Sequence, residues 1–511
     1  MIRLNKIAKF MIENKWIILF CILYLSLTLP RLGERIGDWD QGIDIFLTQN
    51  ILKFGYPKGY DGNFSMAPLN EMKPETYAWT RQPWLYHYIL AGFFLLFGQS
   101  LFVAKLPSII FGLLTVILFY KFLLMETKKE LLTNLSTFLL LISVPFLLFT
   151  KVMRYIPLAI FFTLLSIFFY RKALKERKLR NYIFLSLAAV GLFHSNYLIA
   201  GAVLVGIGLD YLILNFDRKR INSFLISAIT FLAFSIPWIL FMVKEKNHVT
   251  LTYLLFNPFL SLFYIFSFFS PFIFLLYLYI TTKKSEYKKL ILLFALITIS
   301  FIIFNSFISG AGLVQVRYLV TLLPFFIFFN GVVLVKLYRW KKIVGIAVLL
   351  LLITSNLLYL FPNFIARDFL EDNFIGSQKN KEKFIERTTQ LNSLSWLYLK
   401  EITQEFHDPV INMVGFVTDN SKARTIYAEY PINPNFFYTQ KGITPVNNSK
   451  NADVLLFENR LNETPKGFTE FSIEGNVWPL QYASGNPSLH RFVDDFSGKI
   501  YIYIKNDVLV E

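Results

Sequence analysis

IPLAIFFTLLSIFFY (156–170), RKALKERKLR (171–180) and NYIFLSLAAVGLFHSNY (181–197) follow one another without a gap, and their alternation decides the fold. Two apolar runs of near-helical span length flank a decapeptide holding six Lys and Arg. Apolar helices crossing a bilayer leave their basic residues on the cytoplasmic side. The same alternation recurs along the chain. Apolar runs lie near 16–30, 84–97, 101–123, 134–150, 154–170, 181–197, 199–215, 222–243, 256–280, 290–308, 318–336 and 343–361, which makes about eleven or twelve crossings of a core that needs about 20 helical residues. Basic clusters sit at the N-terminus, at Arg171–Arg180, Arg218–Arg220, Lys283–Lys289 and Lys336–Lys342.

Composition agrees. The 511 residues are 55% hydrophobic, with 56 Phe and 27 Tyr, and only 17% are charged against about 25% in a soluble domain. The net charge of +17 falls in clusters between apolar runs, the distribution of a membrane protein, and no nucleic-acid-binding motif accompanies it, so nucleic acid is not an expected partner. A lone Cys21 inside the first run allows no intramolecular disulfide. Met1–Lys15 carries Arg3, Lys6, Lys9 and Lys15 ahead of an apolar run with no small-residue cleavage site, so the run is expected to be retained as a first span.

Residues 365–511 hold 15 Lys and Arg against 19 Asp and Glu, a net of −4, which leaves +21 for residues 1–364. We therefore divide the chain into a membrane domain, 1–364, containing an external loop 31–82, and a water-exposed α/β domain, 365–511. Counting crossings from Arg171 onward puts the tail on the outer face and the N-terminus in the cytoplasm. Before Arg171 the parity requires that either 84–97 or the pair 134–150/154–170 is not a full crossing.

In the loop, Gly42–Phe54 has apolar residues at Ile43, Phe46, Leu47, Ile51 and Phe54, a helical spacing that predicts an amphipathic helix on the membrane surface. In the tail the patterns predict a helix over 380–405, a strand over Val410–Val417, a helix over 419–430, and strands near Ala452–Phe457, Phe468–Ile473 and Lys499–Lys505. His407, Trp478 and His490 share no metal-ligand spacing and are read as surface or half-buried residues. No phosphate-cradling glycine loop is present, which argues against direct use of ATP.

Charged groups at the outer ends of spans are functional candidates, because placing them near lipid is costly without a role or a partner. They are Lys151 and Arg154 between two apolar runs, His194 at the end of its run, Arg317 at the head of another, and the loop acids Asp38, Asp40, Asp44, Asp61, Glu71 and Glu75. Carboxylates facing cations at a membrane boundary suit group transfer from a phosphate-bearing lipid. The blander alternatives are an interfacial anchor for Arg154 or Arg317, packed imidazoles for His87 and His194, and an ordinary loop for Asp38-Trp39-Asp40. That Asp-x-Asp leaves a divalent metal open, but no metal ligand is assigned.

Several ordered pieces resemble the membrane glycosyltransferases of the C-type (GT-C) superfold, in the group of aminoarabinose–lipid A transferases and protein O-mannosyltransferases (glycosyltransferase family 39-like). Asp40-Gln41, a helix and Phe54-Gly55-Tyr56-Pro57 resemble the family's Asp-Glu motif with its trailing helix and Gly-x-Pro. Arg81-Gln82-Pro83-Trp84-Leu85-Tyr86 resembles Lys-Pro-Pro-Leu-Tyr, and Leu96-Phe97-Gly98 to Lys105-Leu106-Pro107-Ser108 is similar to Leu-Phe-Gly…Arg-Leu-Pro-Ser. Arg154-Tyr155, His194-Ser195-Asn196-Tyr197 and Arg317-Tyr318…Pro324 fall where comparable elements are expected. Gln41, Arg81-Gln82 and Lys105 depart from the pattern.

The resemblance implies a polytopic helical protein of the cell (plasma or inner) membrane with an outer C-terminal domain. It further implies a polyprenyl-phosphate sugar donor and an inverting displacement onto a lipid, glycan or protein acceptor at an external site. On this reading Asp40 is the general base and Asp38 its helper or substitute. Arg317 and Arg81 hold donor phosphate, Arg154 is a secondary cation, and His194, Tyr318 and Tyr86 are candidate substrate contacts. A transporter or flippase of lipid-linked glycans is the alternative, against which stands the absence of similarly broken helices in two halves of the chain.

Overall fold

The computed structural model describes residues 14–33, 39–65, 72–73, 75–242, 251–281, 287–306, 316–355, 357–359, 394–403, 409–428, 441–457, 459–475, 480–483, 486–492 and 498–510. The protein is a polytopic helical membrane protein with a small C-terminal sheet region. Contacts divide it into two compact units. One comprises Met1–Pro30, Ser108–Lys151 and Tyr155–Trp396; the other comprises Arg31–Pro107, Val152–Arg154 and Leu397–Glu511.

Among the described residues of the chain, six helices are long and apolar enough to cross a membrane: Leu101–Thr127, Ile156–Glu176, Tyr197–Leu214, Arg218–Phe241, Lys288–Asn305 and Arg317–Trp340. A seventh candidate is the pair Glu130–Leu141 and Val144–Thr150, bent by 59°. Pro145 sits in the first turn of the second piece and has no N–H to continue the ladder, so the helix stops and restarts. The two segments in doubt before Arg171 therefore both depart from a straight crossing: Leu85–Phe97 has 13 residues, and the run 134–150 is broken. The run 256–280 is also interrupted, so each half of the chain holds a broken apolar helix where none was expected. A π-turn over Ile265–Phe269 precedes Ser270-Pro271, and Asn330 Nδ2 donates to the Phe269 carbonyl (3.1 Å) while its Oδ1 accepts from Ser270 (2.7 Å).

Polar pairs tie the helices of the first unit together. Glu126 meets Arg171 (2.9 Å) and Lys175 (3.0 Å), and the fully buried Asp210 accepts from Tyr170 (2.5 Å) and Asn215 (2.8 Å). A charge in a span is stable only when partnered in this way.

In the second unit the loop helix forms over Trp39–Phe54 and ends on Gly55, whose φ of +82° lets its N–H cap the Ile51 carbonyl. Gly98 (φ +81°) closes Leu85–Phe97 on Phe94 in the same way. Both glycines of the family-like motifs thus serve as helix stops. The apolar face of the loop helix does not all lie open to lipid: Ile43, Phe46 and Leu47 pack on Met72 and Trp79 within the loop itself.

In the tail the five-stranded sheet has the order β2-β1-β3-β7-β4, with β1 Thr425–Ala428, β2 Thr444–Pro445, β3 Val454–Phe457, β4 Phe468–Gly475 and β7 Gly498–Lys505. The β1 pairings are parallel and both β7 pairings antiparallel. A separate hairpin joins β5 Leu480–Ala483 to β6 Asn486–Phe492, the strand that carries His490. The strands expected near 452–457, 468–473 and 499–505 are present.

Two expectations are corrected. Val410–Val417 lies in a helix, Pro409–Asn420, not a strand, and the segment expected to be a helix over 419–430 contains β1. The apolar run misled because it is rich in β-branched residues, yet Met413, Val414 and Val417 are buried at helical spacing against Ile426, Val454 and Ile502, and Pro409 suits a first turn. Of the expected helix over 380–405, only Leu394–Thr403 falls within the described residues, and His407 and Trp478 lie outside them.

One carboxylate stitches three strands. Burial works to raise the Asp453 carboxyl, but the N–H groups of Arg424 (2.9 Å) and Thr425 (3.0 Å), the Thr425 hydroxyl and Lys505 together hold it below the usual carboxylate value.

Candidate active site

The loop helix is polar along one stripe and apolar along the other. Gln41, Asp44 and Thr48 recur at spacings of three and four and share a face. All three are buried, an unfavourable place for polar groups unless they are bonded. Thr48 Oγ1 donates to the Asp44 carbonyl one turn back (2.7 Å), and Gln41 Oε1 accepts the backbone N–H of Met153 (3.1 Å).

Asp44 is the hub. Its Oδ1 accepts from His87 Nε2 (2.9 Å) and Gln82 Nε2 (2.6 Å), and its Oδ2 faces Arg154 Nε at 3.5 Å. Asp44 and His87 are each 1% exposed and Arg154 5%. Since a carboxylate only accepts, the Nε2 of His87 carries the proton in this pair. The contact of 3.1 Å between Gln82 Nε2 and His87 Nε2 is then the approach of two donors to one oxygen.

Three short pieces of structure make the hub possible. The helix Leu85–Phe97 is anchored at its start by Trp84 Nε1 donating to the Trp79 carbonyl (2.7 Å), which sets His87 in its first turn. Gln82 lies in the bend before it. Val152–Arg154 form a tight turn between Val144–Thr150 and Ile156–Glu176, with the Arg154 N–H on the Val152 carbonyl (2.9 Å).

The expected site residues fall as follows. Position 40 is in the first turn of the loop helix, one turn before Asp44, so Trp39 and Asp40 are helical rather than extended. Asp38 lies outside the described residues. Arg81 is exposed beside Gln82; Tyr86 is buried with its ring edge-on to His87 (6.1 Å). Within the other unit, the half-buried Arg317 stacks its guanidinium 5.0 Å from the Tyr318 ring centroid, and its Nη2 donates to the Tyr318 hydroxyl (3.0 Å). His194 Nε2 meets the Phe234 carbonyl (3.1 Å) and its ring lies edge-on to Trp238. Among the described residues no group of three His, Cys, Asp or Glu is placed to hold a metal ion.

Sequence reasoning passed over Asp44, Gln82 and His87 as a set. One signal was available: in the expected helix Asp44 stands one turn beyond Asp40 and three residues beyond Gln41, on the polar stripe.

Residues 81–241 match the family model of dolichyl-phosphate-mannose-protein mannosyltransferases. This matched segment, 161 residues or about a third of the chain, contains Arg81–Tyr86, Leu96–Ser108, Arg154-Tyr155 and His194–Tyr197, and so bears out the resemblance over that stretch. It begins after Asp40 and ends before Arg317. No curated protein sequence matches the chain. Two solved structures are similar to it, ArnT from Cupriavidus metallidurans bound to undecaprenyl phosphate (TM-score 0.48) and the same protein in the apo state (TM-score 0.49). Each is 12% identical, and the alignment covers 79% of this chain and 72% of that one. The protein is a multi-pass membrane protein, and one segment of it matches a glycosyltransferase family model.

Proposed function

We propose that the protein transfers a sugar from a polyprenyl-phosphate-linked donor to a hydroxyl or phosphate of a lipid, glycan or protein acceptor on the outer face of the cell membrane. The observation that carries this reading is that the matched segment supplies Gln82, His87 and Arg154 to the buried network around Asp44. The reading keeps the division into a membrane domain, 1–364, and an outer domain, 365–511, with a cytoplasmic N-terminus, as the charge distribution supports.

For a hydroxyl acceptor, Asp40 takes the proton, and the freed oxygen bonds to the anomeric carbon from the face opposite the phosphate. The carbon–oxygen bond to phosphate breaks, and polyprenyl phosphate departs with the electron pair. A single displacement inverts the centre. The base matters because a neutral hydroxyl is a poor nucleophile. Arg317 and Arg81 meet the charge on the departing phosphate, since guanidinium forks match phosphate oxygens. Arg154 is a secondary cation with its Nε edge turned to Asp44. Asp44 is engaged by two donors and faces a third, so this reading keeps the base's role for Asp40.

The test is incubation of the purified protein with a panel of radiolabelled polyprenyl-phosphate sugars and scoring of free polyprenyl phosphate. A transferase consumes one of the donors. Movement of intact donor across a vesicle membrane, with no release of polyprenyl phosphate from any of them, would establish the flippase alternative instead.

A further inference from the structure

We infer that the C-terminal domain takes part in turnover by docking on the first loop through Asn447, which steadies the loop helix that carries Asp40 and Asp44. The link to turnover rests on the transferase reading above; the docking does not. Loop and tail belong to one compact unit. Within it the Ser65 backbone N–H donates to Asn447 Oδ1 at 3.2 Å, joining residues 382 positions apart.

On the tail side, residue 447 is held by its neighbours. It follows β2, the edge strand of the five-stranded sheet. Val446 packs against the sheet and gives its N–H to the Ile426 carbonyl (2.8 Å), and Asn448 caps the short helix Ser449–Asn451 by accepting from the Lys450 N–H (3.0 Å). The tail thus fixes the backbone at 447 from both sides, while the side-chain oxygen serves the loop.

On the loop side, Ser65 is one end of a closed turn. It bridges Tyr60, and Asp61 Oδ1 accepts from the N–H groups of Asn63 and Phe64 (both 2.9 Å). Phe64 sets its ring edge-on to Phe46 of the loop helix (5.6 Å), and Tyr60 and Phe64 both pack on the cluster of Ile43, Phe46, Leu47, Met72 and Trp79. Phe46 stands two residues from Asp44, about 200° round the helix. The turn therefore supports one side of the helix while the Asp44 network holds the other. A helix of 16 residues is marginal by itself and keeps its place through such contacts. One neutral hydrogen bond is worth about 2- to 10-fold in an equilibrium, enough to bias how often the loop helix sits in its working position.

Cys21 is the only cysteine of the chain, so Ser65→Cys/Asn447→Cys in a Cys21→Ser background offers one possible pair. Treating that purified full-length variant with a short bifunctional thiol reagent should link the two positions within one chain, and the linked enzyme should keep releasing polyprenyl phosphate at the rate of the unlinked one. Asn447→Ala should lose about 2- to 10-fold in kcat, with amide exchange of peptides from 57–65 and Trp39–Phe54 faster by a similar factor and exchange in β3 and β7 unchanged. Asn447→Asp keeps an oxygen acceptor and should stay near wild type in both readouts. Failure to link, a linked enzyme that has stopped turning over, wild-type kcat and exchange in Asn447→Ala, or an Asn447→Asp as slow as Asn447→Ala overturns the inference. Should the double-cysteine variant not be recovered folded, the two Asn447 variants decide alone. An inactive wild type refutes the proposed activity, and linkage and exchange then judge the docking by themselves.

Discussion

Arg154→Gln is the most direct probe of how the buried network contributes to stability. The substitution leaves Asp44 at 1% exposure with no permanent cation opposite it. Breaking a buried pair from one side costs about 3–5 kcal/mol. The lower end applies here, because the N–O separation of 3.5 Å is longer than the roughly 2.7–2.9 Å of a charge-assisted hydrogen bond. The hydrogen bonds from His87 and Gln82 also continue to support the carboxylate. Asp44→Asn removes the carboxylate that faces Arg154 and should likewise cost about 3 kcal/mol. Two independent effects would add to about 6 kcal/mol, whereas the double variant leaves neutral amides on both sides and should cost about 3 kcal/mol or less, a coupling of about 3 kcal/mol. The readout is amide hydrogen exchange of peptides from the loop helix, Trp39–Phe54, in detergent. Each single variant should exchange about 100-fold faster than wild type there, since 1.4 kcal/mol is a factor of ten. The double variant should be no faster than either single. Additive acceleration in the double variant would show that the two charges do not stabilise each other.

Asp40→Asn should abolish release of polyprenyl phosphate, a loss of about 100- to 10,000-fold, while Asp38→Asn costs much less; the reverse order would move the base two residues upstream, and two active variants would remove the loop from the chemistry. Arg317→Lys keeps the charge but gives up the planar fork that stacks on Tyr318, so donor affinity should fall by about tenfold with expression unchanged, and an unaltered donor KM would reduce Arg317 to an interfacial anchor. Asp453 gives the tail an acid-sensitive stitch. Its folded carboxyl is held below the ordinary 3.8, so its contribution is full above the unfolded value and is lost as pH falls through the folded one. Thermal scans from about pH 5 down to pH 2 should show a shallower loss in Asp453→Asn than in wild type, and parallel curves would exclude the role.

The parts of the fold legible in the sequence were those governed by one dominant force. Apolar runs marked out the six helices, or seven with the bent pair, that are long and apolar enough to cross a membrane among the described residues, and strands such as Lys499–Lys505 announced themselves by alternating Ile and Tyr. Val410–Val417 was misread because local β-propensity and the burial period disagreed, and tertiary packing decided for the helix. The break at Pro145 was half visible, since a proline marks where a helix can stop but not by what angle it turns. At the candidate site, Arg154 and the helix bearing Asp40 were legible from charge placement and motif. The junction at Asp44 was not, because it joins residues from three places in the chain, and nothing local to 44, 82, 87 or 154 states that they meet.

The hydrogen bond from Met153 to Gln41 closes a separation of 112 residues, and Arg154 meets Asp44 over a comparable stretch. At a synthesis rate of about 5–20 residues per second, the loop helix exists for roughly 6–20 s before its cationic partner has been made. Part-way through that interval Asp44 gains Gln82 and His87 for company, but still no permanent positive charge. The first loop therefore reaches its final form only after the chain has crossed the bent pair Glu130–Thr150 and laid down the turn behind it, and the order of membrane insertion sets when the site matures.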